Sequence, residues 1–220
     1  MRFFKNGELP PQAHMWLIYG DGGTGKTTLF REVPGEKKLL ISFDLSTDVL
    51  RGAKGIDVGI IEQGDMPSIQ HTIEQWLNRA ISTYDAIGLD NVSALQNMVL
   101  ENIDGASKDG RQNYQKLQLW FRSMGTVLRQ SNVNVYATAH QIDKGPEFMN
   151  GRYEADMNAK TFNAFTSMFD VVGRLYLKDN KRVIELDPEQ GNHAKNRLDD
   201  RKLINANELF DLANQVKKEK

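Results

Sequence analysis

Along the chain, short apolar runs alternate with longer segments in which apolar residues return every three or four positions. The runs at residues 16–19, 38–43, 58–62, 86–89 and 134–138 have the length and the polar or glycine-containing borders of buried strands. Between them, Ile69, Ile73, Trp76, Leu77, Ala80 and Ile81 recur at helical spacing, and so do Leu117, Trp120, Phe121, Met124, Val127 and Leu128. Both stripes are expected to face a core and not a ligand, their aromatic members included. Strands and helices in alternation predict an α/β fold, a mainly parallel sheet with helices on both faces. After residue 170 the pattern changes. Residues 171–177 and 182–186 flank Lys178-Asp179-Asn180-Lys181, which predicts a C-terminal antiparallel hairpin added to the parallel core. Two polar, glycine-containing stretches, 102–112 and 142–160, fit neither pattern, and the second exceeds ordinary connections in length. The expected organisation is a single domain, a core over residues 1–205 followed by a C-terminal helix and basic tail over 206–220.

The first predicted strand runs into Gly20-Asp21-Gly22-Gly23-Thr24-Gly25-Lys26-Thr27-Thr28, a complete G-x-x-x-x-G-K-[ST] phosphate-binding loop. A helix is expected from Thr27 until Pro34-Gly35 stops it. Glycines at 20, 22, 23 and 25 let successive N–H groups turn inward around phosphate oxygens, and the following helix presents its positive end. Lys26 would reach the β- and γ-phosphates, and the Thr27 hydroxyl would ligate Mg²⁺. The chain is therefore read as a binder of a nucleoside triphosphate.

Such a site needs carboxylates, and in open α/β sheets these gather at the carboxyl ends of the strands. Tyr84-Asp85-Ala86-Ile87-Gly88-Leu89-Asp90 is an apolar strand ending in Asp90, the candidate for holding the metal. The second strand ends in Ser42-Phe43-Asp44-Leu45-Ser46-Thr47-Asp48, where Asp44 or Asp48 is placed to polarise an attacking water. The same residues, with Ser46 and Thr47, also suit the capping of a helix through Val49 and Leu50. The fifth strand ends in Thr138-Ala139-His140-Gln141. Gln141 is a candidate sensor of the γ-phosphate, with His140 as its neighbour.

Composition narrows this little. With 220 residues, 40% hydrophobic and 26% charged, the chain can bury a large core. It has no cysteine, so disulfides and thiolate metal sites are excluded, and its four histidines lack ligand spacing for a structural zinc. Neither a signal peptide nor a membrane span is expected, which points to the cytoplasm and makes Asn91-Val92-Ser93 a chance match to a glycosylation acceptor. A net charge of −1 argues against a single-copy basic groove for nucleic acid, although assembly along a strand would multiply local positive loops.

The phosphate loop, the acidic end of the second strand, the Asp90 strand, the strand ending at Gln141, the hairpin and the stretch Ala194-Lys195-Asn196-Arg197-Leu198 together resemble the RecA-like recombinase core. Within it, the chain is most similar to the phage ATPases of the Sak-type single-strand annealing group, over roughly residues 15–200. The resemblance implies a RecA-like P-loop ATPase that uses ATP and Mg²⁺ and self-assembles into a ring or filament with ATP between subunits. It also implies single-stranded DNA held by loops 102–112 and 142–160, with a phage or host single-strand-binding protein as a further partner. Lys195 and Arg197 would match the family's residues that reach a neighbour's γ-phosphate. In two respects the chain departs from the family. Ser46 stands where the family places a glutamate, which leaves the base role to Asp44 or Asp48. In the loops, Arg111, Lys144, Arg152 and Lys160 are offset by Asp109, Glu147, Glu154 and Asp156, which shifts the expected DNA contacts toward stacking on Tyr153 or Phe148. A helicase loader or adaptor ATPase and a small-molecule kinase are the alternative readings. Asp21 counts against a partitioning switch, whose loop carries lysine there.

Overall fold

The computed structural model describes residues 3–148, 151–188 and 192–212. Its elements, in chain order, are β1 (Met15–Tyr19), α1 (Lys26–Leu29), β2 (Lys38–Ser42), β3 (Ile56–Ile60), α2 (Ile69–Ala80), β4 (Ala86–Asp90), α3 (Val92–Glu101) and α4 (Gly110–Ser131), then β5 (Asn134–Ala139), β6 (Gln141–Asp143), β7 (Tyr153–Ala155), α5 (Ala159–Thr166), β8 (Val171–Lys178), β9 (Lys181–Glu185), β10 (Lys195–Asn196) and β11 (Leu203–Asn205). The main sheet runs β11-β9-β8-β1-β5-β4-β2-β3, with β10 pairing on β8. All neighbours from β3 to β8 are parallel, and β8 turns antiparallel into β9. This is the expected α/β arrangement, a mainly parallel sheet with an antiparallel hairpin added to it.

The strand alternation decides which face each residue serves. On β1, Met15, Leu17 and Tyr19 enter the core under α2–α5, while Trp16 and Ile18 enter the core shared with Phe30, Leu209 and Phe210. On β4, Ile87 and Leu89 join the first core. Gly88 faces the second, where a Cβ would lie 2.5 Å from Leu40 Cδ1 and 2.8 Å from Phe30 Cε2. The Phe30 ring therefore occupies the volume of a missing side chain, which brings α1 close against the sheet.

The hairpin is closer to the centre than expected. Its turn, Asp179-Asn180, has φ of +51° and +60° at the two central positions, the two-residue geometry that matches strand twist. Its first strand is the direct parallel partner of β1, pairing Tyr19 with Arg174. Other differences are local. The helix after the phosphate loop is α-helical only over Lys26–Leu29 and tightens to 3₁₀ over Phe30–Glu32. At Val49 and Leu50 there is only a 3₁₀ turn, Asp48–Leu50, whose N-cap Thr47 makes no side-chain bond. Residues 110–112 are the first turn of α4, capped by the Asp109 carboxylate on the Arg111 N–H at 3.0 Å. The 142–160 stretch contains the β6–β7 hairpin and the start of α5. Its charges close on each other, with Arg152 Nε 2.8 Å from Asp143 Oδ1 and Lys144 Nζ 2.5 Å from Glu154 Oε2. After β11, Ala206–Asp211 is a 3₁₀ helix with Leu209 and Phe210 buried, and the tail expected over 213–220 lies outside the described residues.

At the amino ends of β1 and β8, Asp170 ties the sheet together. Its carboxylate accepts the Met15 N–H at 2.9 Å and a bidentate contact from Arg129 on α4, with His14 Nδ1 at 3.7 Å. Burial pushes this carboxyl upward, but His14, Arg129 and the Met15 N–H more than reverse that and hold it at about 2. A folded-state value below the ordinary carboxylate value contributes stability above pH ~4 that is lost as pH falls through 2. Replacement by Asn should cost about 2 kcal/mol near neutral pH and flatten the acid limb of stability between pH ~4 and ~2. Denaturant unfolding across that pH range measures both, and an Asp170→Asn variant with the parent's acid limb would refute the assignment.

Candidate nucleotide site

The phosphate loop is held from both sides. Gly20 donates to Ala139 O on β5 at 3.3 Å, and a Cβ at Gly20 would fall 2.2 Å from Leu175 O on β8. Gly23 and Gly25 have φ of +75° and +99°, a left-handed region that disfavours side chains. The Thr24 hydroxyl closes the turn on Asp21 O at 2.8 Å. Gly22 and Gly23 face open space. Lys26 is buried, its Nζ donating to Gly20 O and Asp21 O at 2.8 Å each. Burial lowers its affinity for a proton, and Asp90, Asp21 and Asp44 oppose this. Beneath it, the buried Tyr136 hydroxyl on β5 donates to Lys26 O at 2.8 Å, fixing the first turn of α1.

Ser42 on β2 pairs in register with Asp90 on β4, and both point to the α1 face. On β5, Thr138 reaches the same point and donates its hydroxyl to Asp90 Oδ1. Burial raises the Asp90 carboxyl, and the Thr138 and Thr27 hydroxyls counter it. Asp90 Oδ2 and Ser42 Oγ are buried without a hydrogen bond of good geometry. Two uncommitted oxygens side by side in a native interior call for a ligand, since such groups are normally satisfied.

Asp44 lines the same cleft, a cavity of about 380 Å³ that also involves Gly22, Gly23, Gly25, Thr27, Thr28 and Ser46. Asn91 organises its far wall. Its Oδ1 caps α3 by accepting the Ala94 N–H at 2.8 Å, which turns its amide nitrogen toward Asp44 Oδ2 at 2.5 Å and His140 Nε2 at 3.0 Å. Asp44 Oδ1 accepts the Ser46 N–H at 3.0 Å. The buried Asn91 has no role as a glycosylation acceptor.

The structure sorts the remaining candidates. Asp48 lies outside the cleft and pairs with Arg51 at 2.7 Å, both exposed. Gln141 opens β6 and bridges two groups: its Nε2 donates to Asp21 Oδ1 at 3.2 Å and its Oε1 accepts from Arg174 Nε at 2.6 Å. The Arg174 guanidinium lies 3.4 Å over the Tyr153 ring, so that face of Tyr153 is closed to a stacking base. Phe148 is half exposed. Lys195 pairs with Val172, level with Leu17 at the middle of β1, and Arg197 lies at the amino end, its N–H donating to Asp170 O at 3.0 Å. Lys195 Nζ donates to Thr166 O at 2.7 Å, and burial, aided by Arg197, brings its ammonium down to about 8. Neither residue reaches the phosphate loop of its own chain.

Ser42, Asn91, Thr138, Arg174 and Arg182 were not singled out from the sequence. Strand-end position could have flagged Ser42 and Thr138, which stand at the same level as Asp90. Arg182 Nε donates to Thr24 O at 2.8 Å from the hairpin, a contact that no local pattern announces.

A family model described as an AAA domain matches residues 12–198. The chain belongs to the AAA domain family. With its phosphate loop, this AAA domain protein is a nucleotide-binding ATPase of P-loop type. Among solved structures, it is similar to the KaiC-like protein PH0186 from Pyrococcus horikoshii OT3, with a TM-score of 0.46 and 15% identity over 80% of this chain and 78% of that one. It is also similar to the flagellar accessory protein FlaH from Methanocaldococcus jannaschii, with a TM-score of 0.49 and 12% identity over 88% and 84% of the two chains. No curated protein matches the AAA domain chain. Among the described residues, no helix is long and apolar enough to cross a membrane.

Because β8 leaves no room at Gly20, Gly20→Ala should shift the loop, lower stability by about 2 kcal/mol and abolish measurable binding of labelled ATP. Thermal unfolding and equilibrium binding test this. Parent-like affinity in the variant would show that the β8 contact does not shape the loop.

Proposed function

We propose that this AAA domain protein is an ATP-hydrolysing recombination protein of the phage Sak-type group. On this reading it assembles on single-stranded DNA in the cytoplasm of its host and promotes annealing or strand exchange beside a single-strand-binding protein. The observation that supports the DNA part is a groove of about 620 Å³ between α4 and the start of α5, lined by Arg111, Tyr114, Gln115, Gln118, Asn158 and Lys160. The two stretches 102–112 and 142–160 each contribute a cation to it, from their last residues. Tyr114 is half exposed there, so positive charge and an aromatic face occur together, the combination that holds a single strand without reading its sequence.

In the proposed hydrolysis, Lys26 leaves the Gly20 and Asp21 carbonyls for the β- and γ-phosphates. Asp44, held by Asn91 and the Ser46 N–H, orients the attacking water and accepts its proton, a role open because Ser46 replaces the family's glutamate. Mg²⁺ fits the donors present. The Thr27 and Ser42 hydroxyls and Asp90 Oδ2 are hard oxygen donors, while among the described residues no group of three or more His, Cys, Asp or Glu could hold an ion by itself. When bound, it would offset the negative charge of the phosphate oxygens. Gln141 would exchange its bond to Asp21 for the γ-phosphate. Lys195 and Arg197, whose bonds go to Thr166 O and Asp170 O and not to their own loop, would act on the nucleotide of the next subunit.

ATP hydrolysis should rise with single-stranded DNA, and Lys195→Ala should keep ATP binding but lose that rise. Combined Arg111→Ala and Lys160→Ala should weaken DNA binding about tenfold or more and reduce the slope of log affinity against log salt by roughly 1.4. Steady-state hydrolysis and fluorescence titration at several salt concentrations measure these effects. DNA binding unaffected by the double change would reject the groove, and the absence of DNA binding with or without ATP would favour a loader or adaptor.

A further inference from the structure

The cleft holds one cation that the hydrolysis described above leaves unused. Among the described residues lining it, Lys26 and Arg182 carry the permanent positive charges. Arg182 stands on β9 opposite Leu177, immediately after the tight turn of the hairpin. Its Nε donates to Thr24 O at 2.8 Å, and a Cβ on Gly25 would lie 3.0, 3.4 and 3.7 Å from its Nε, Cδ and Cζ. The guanidinium thus lies across the phosphate loop at the glycine preceding Lys26. Among the described residues, no carboxylate pairs with it and its two η-nitrogens make no hydrogen bond. Arg174, its counterpart on the same hairpin, by contrast donates its Nε to Gln141 and lies over the Tyr153 and Tyr176 rings.

We propose that Arg182 is a phosphate-binding residue acting within its own chain, donating from its free η-nitrogens to an α- or β-phosphate oxygen of the bound nucleotide. The N–H groups that begin at Gly25 are those that cradle these phosphates, so a guanidinium over Gly25 flanks them from the hairpin side. A planar fork with one nitrogen anchored on Thr24 O keeps its remaining donors aimed, and a strand is a more rigid support than a loop. The hairpin backbone is itself fixed against the loop at Gly20. Nucleotide binding would therefore bridge the loop and the hairpin, joining two segments that are more than 150 residues apart in sequence. The proposal rests on the ATPase reading and adds to it a phosphate ligand from outside the motif.

The test is equilibrium competition on the full chain with ATP, ADP and inorganic tripolyphosphate, for the parent, Arg182→Gln and Arg182→Lys, with thermal unfolding without nucleotide to confirm folding. Loss of a charge-assisted bond should weaken all three ligands about tenfold or more in Arg182→Gln, with Arg182→Lys between it and the parent. Affinities within twofold of the parent would overturn the proposal. So would a loss confined to ATP and ADP with tripolyphosphate unchanged, because that pattern belongs to contact with the base or ribose. A parent that binds none of the three would overturn the ATPase reading as well, so the two failures are distinguishable.

Discussion

The site depends on how closely β8 lies against the phosphate loop. A glycine-rich loop is flexible by composition, and its N–H groups converge only if something outside the loop limits its conformations. Here the backbone of β8 passes Gly20 with no room for a Cβ, Ala139 O on the other flank accepts the Gly20 N–H, and Arg182 reaches Thr24 O. The neighbours of β1 on both sides therefore define the loop. The C-terminal hairpin does not decorate a finished core but completes the wall against which the nucleotide loop is shaped.

The electrostatics follow from that confinement. Lys26 is buried near Asp21, Asp44 and Asp90, and it meets its donor requirement with two carbonyls of its own loop. Those carbonyls are neutral and the ammonium is buried, so it is less well satisfied than it would be by phosphate oxygens. Asp90 is in the reciprocal condition, with one oxygen held by Thr138 and the other uncommitted. A cation and an anion that line one cleft, each partly unsatisfied, favour a ligand that carries both charges. A phosphate chain with its counter-ion has that character.

Much of this could be read before any coordinates, and the parts that could not share a physical reason. The phosphate loop and the Asp90 strand carry strong local signals, because apolar runs and glycine spacing act within ten residues. Five of the parallel strands, α2, α4 and the hairpin followed from the same periodicities. α3 and α5 did not: α3 has Val92, Leu95 and Val99 at helical spacing but only over ten residues directly after the Asp90 strand, and α5 emerges from a polar stretch. Strand-end position makes Ser42 and Thr138 candidates, but that they converge on Asp90 follows only from the register of three strands. Arg182 needed knowledge that β8 lies beside β1, a pairing of residues on opposite sides of the sequence. Tyr153 looked like an exposed stacking platform by composition, yet Arg174 covers it.

That last contact also bears on how the site communicates. Asp21, Gln141, Arg174 and Tyr153 form an unbroken series of contacts from the phosphate loop to the β6–β7 hairpin, and the Tyr19 hydroxyl adds a second link to Tyr153 O at 3.3 Å. The hairpin charges are already paired among themselves, Arg152 with Asp143 and Lys144 with Glu154, so little of its positive charge is free for an external polyanion. Arg111 and Lys160, which form no ion pair among the described residues, instead line one groove between α4 and the start of α5. The hairpin is therefore tied to the phosphate loop through the neutral Gln141 amide and a cation–π contact, and through the short connection after β7 it is continuous with α5.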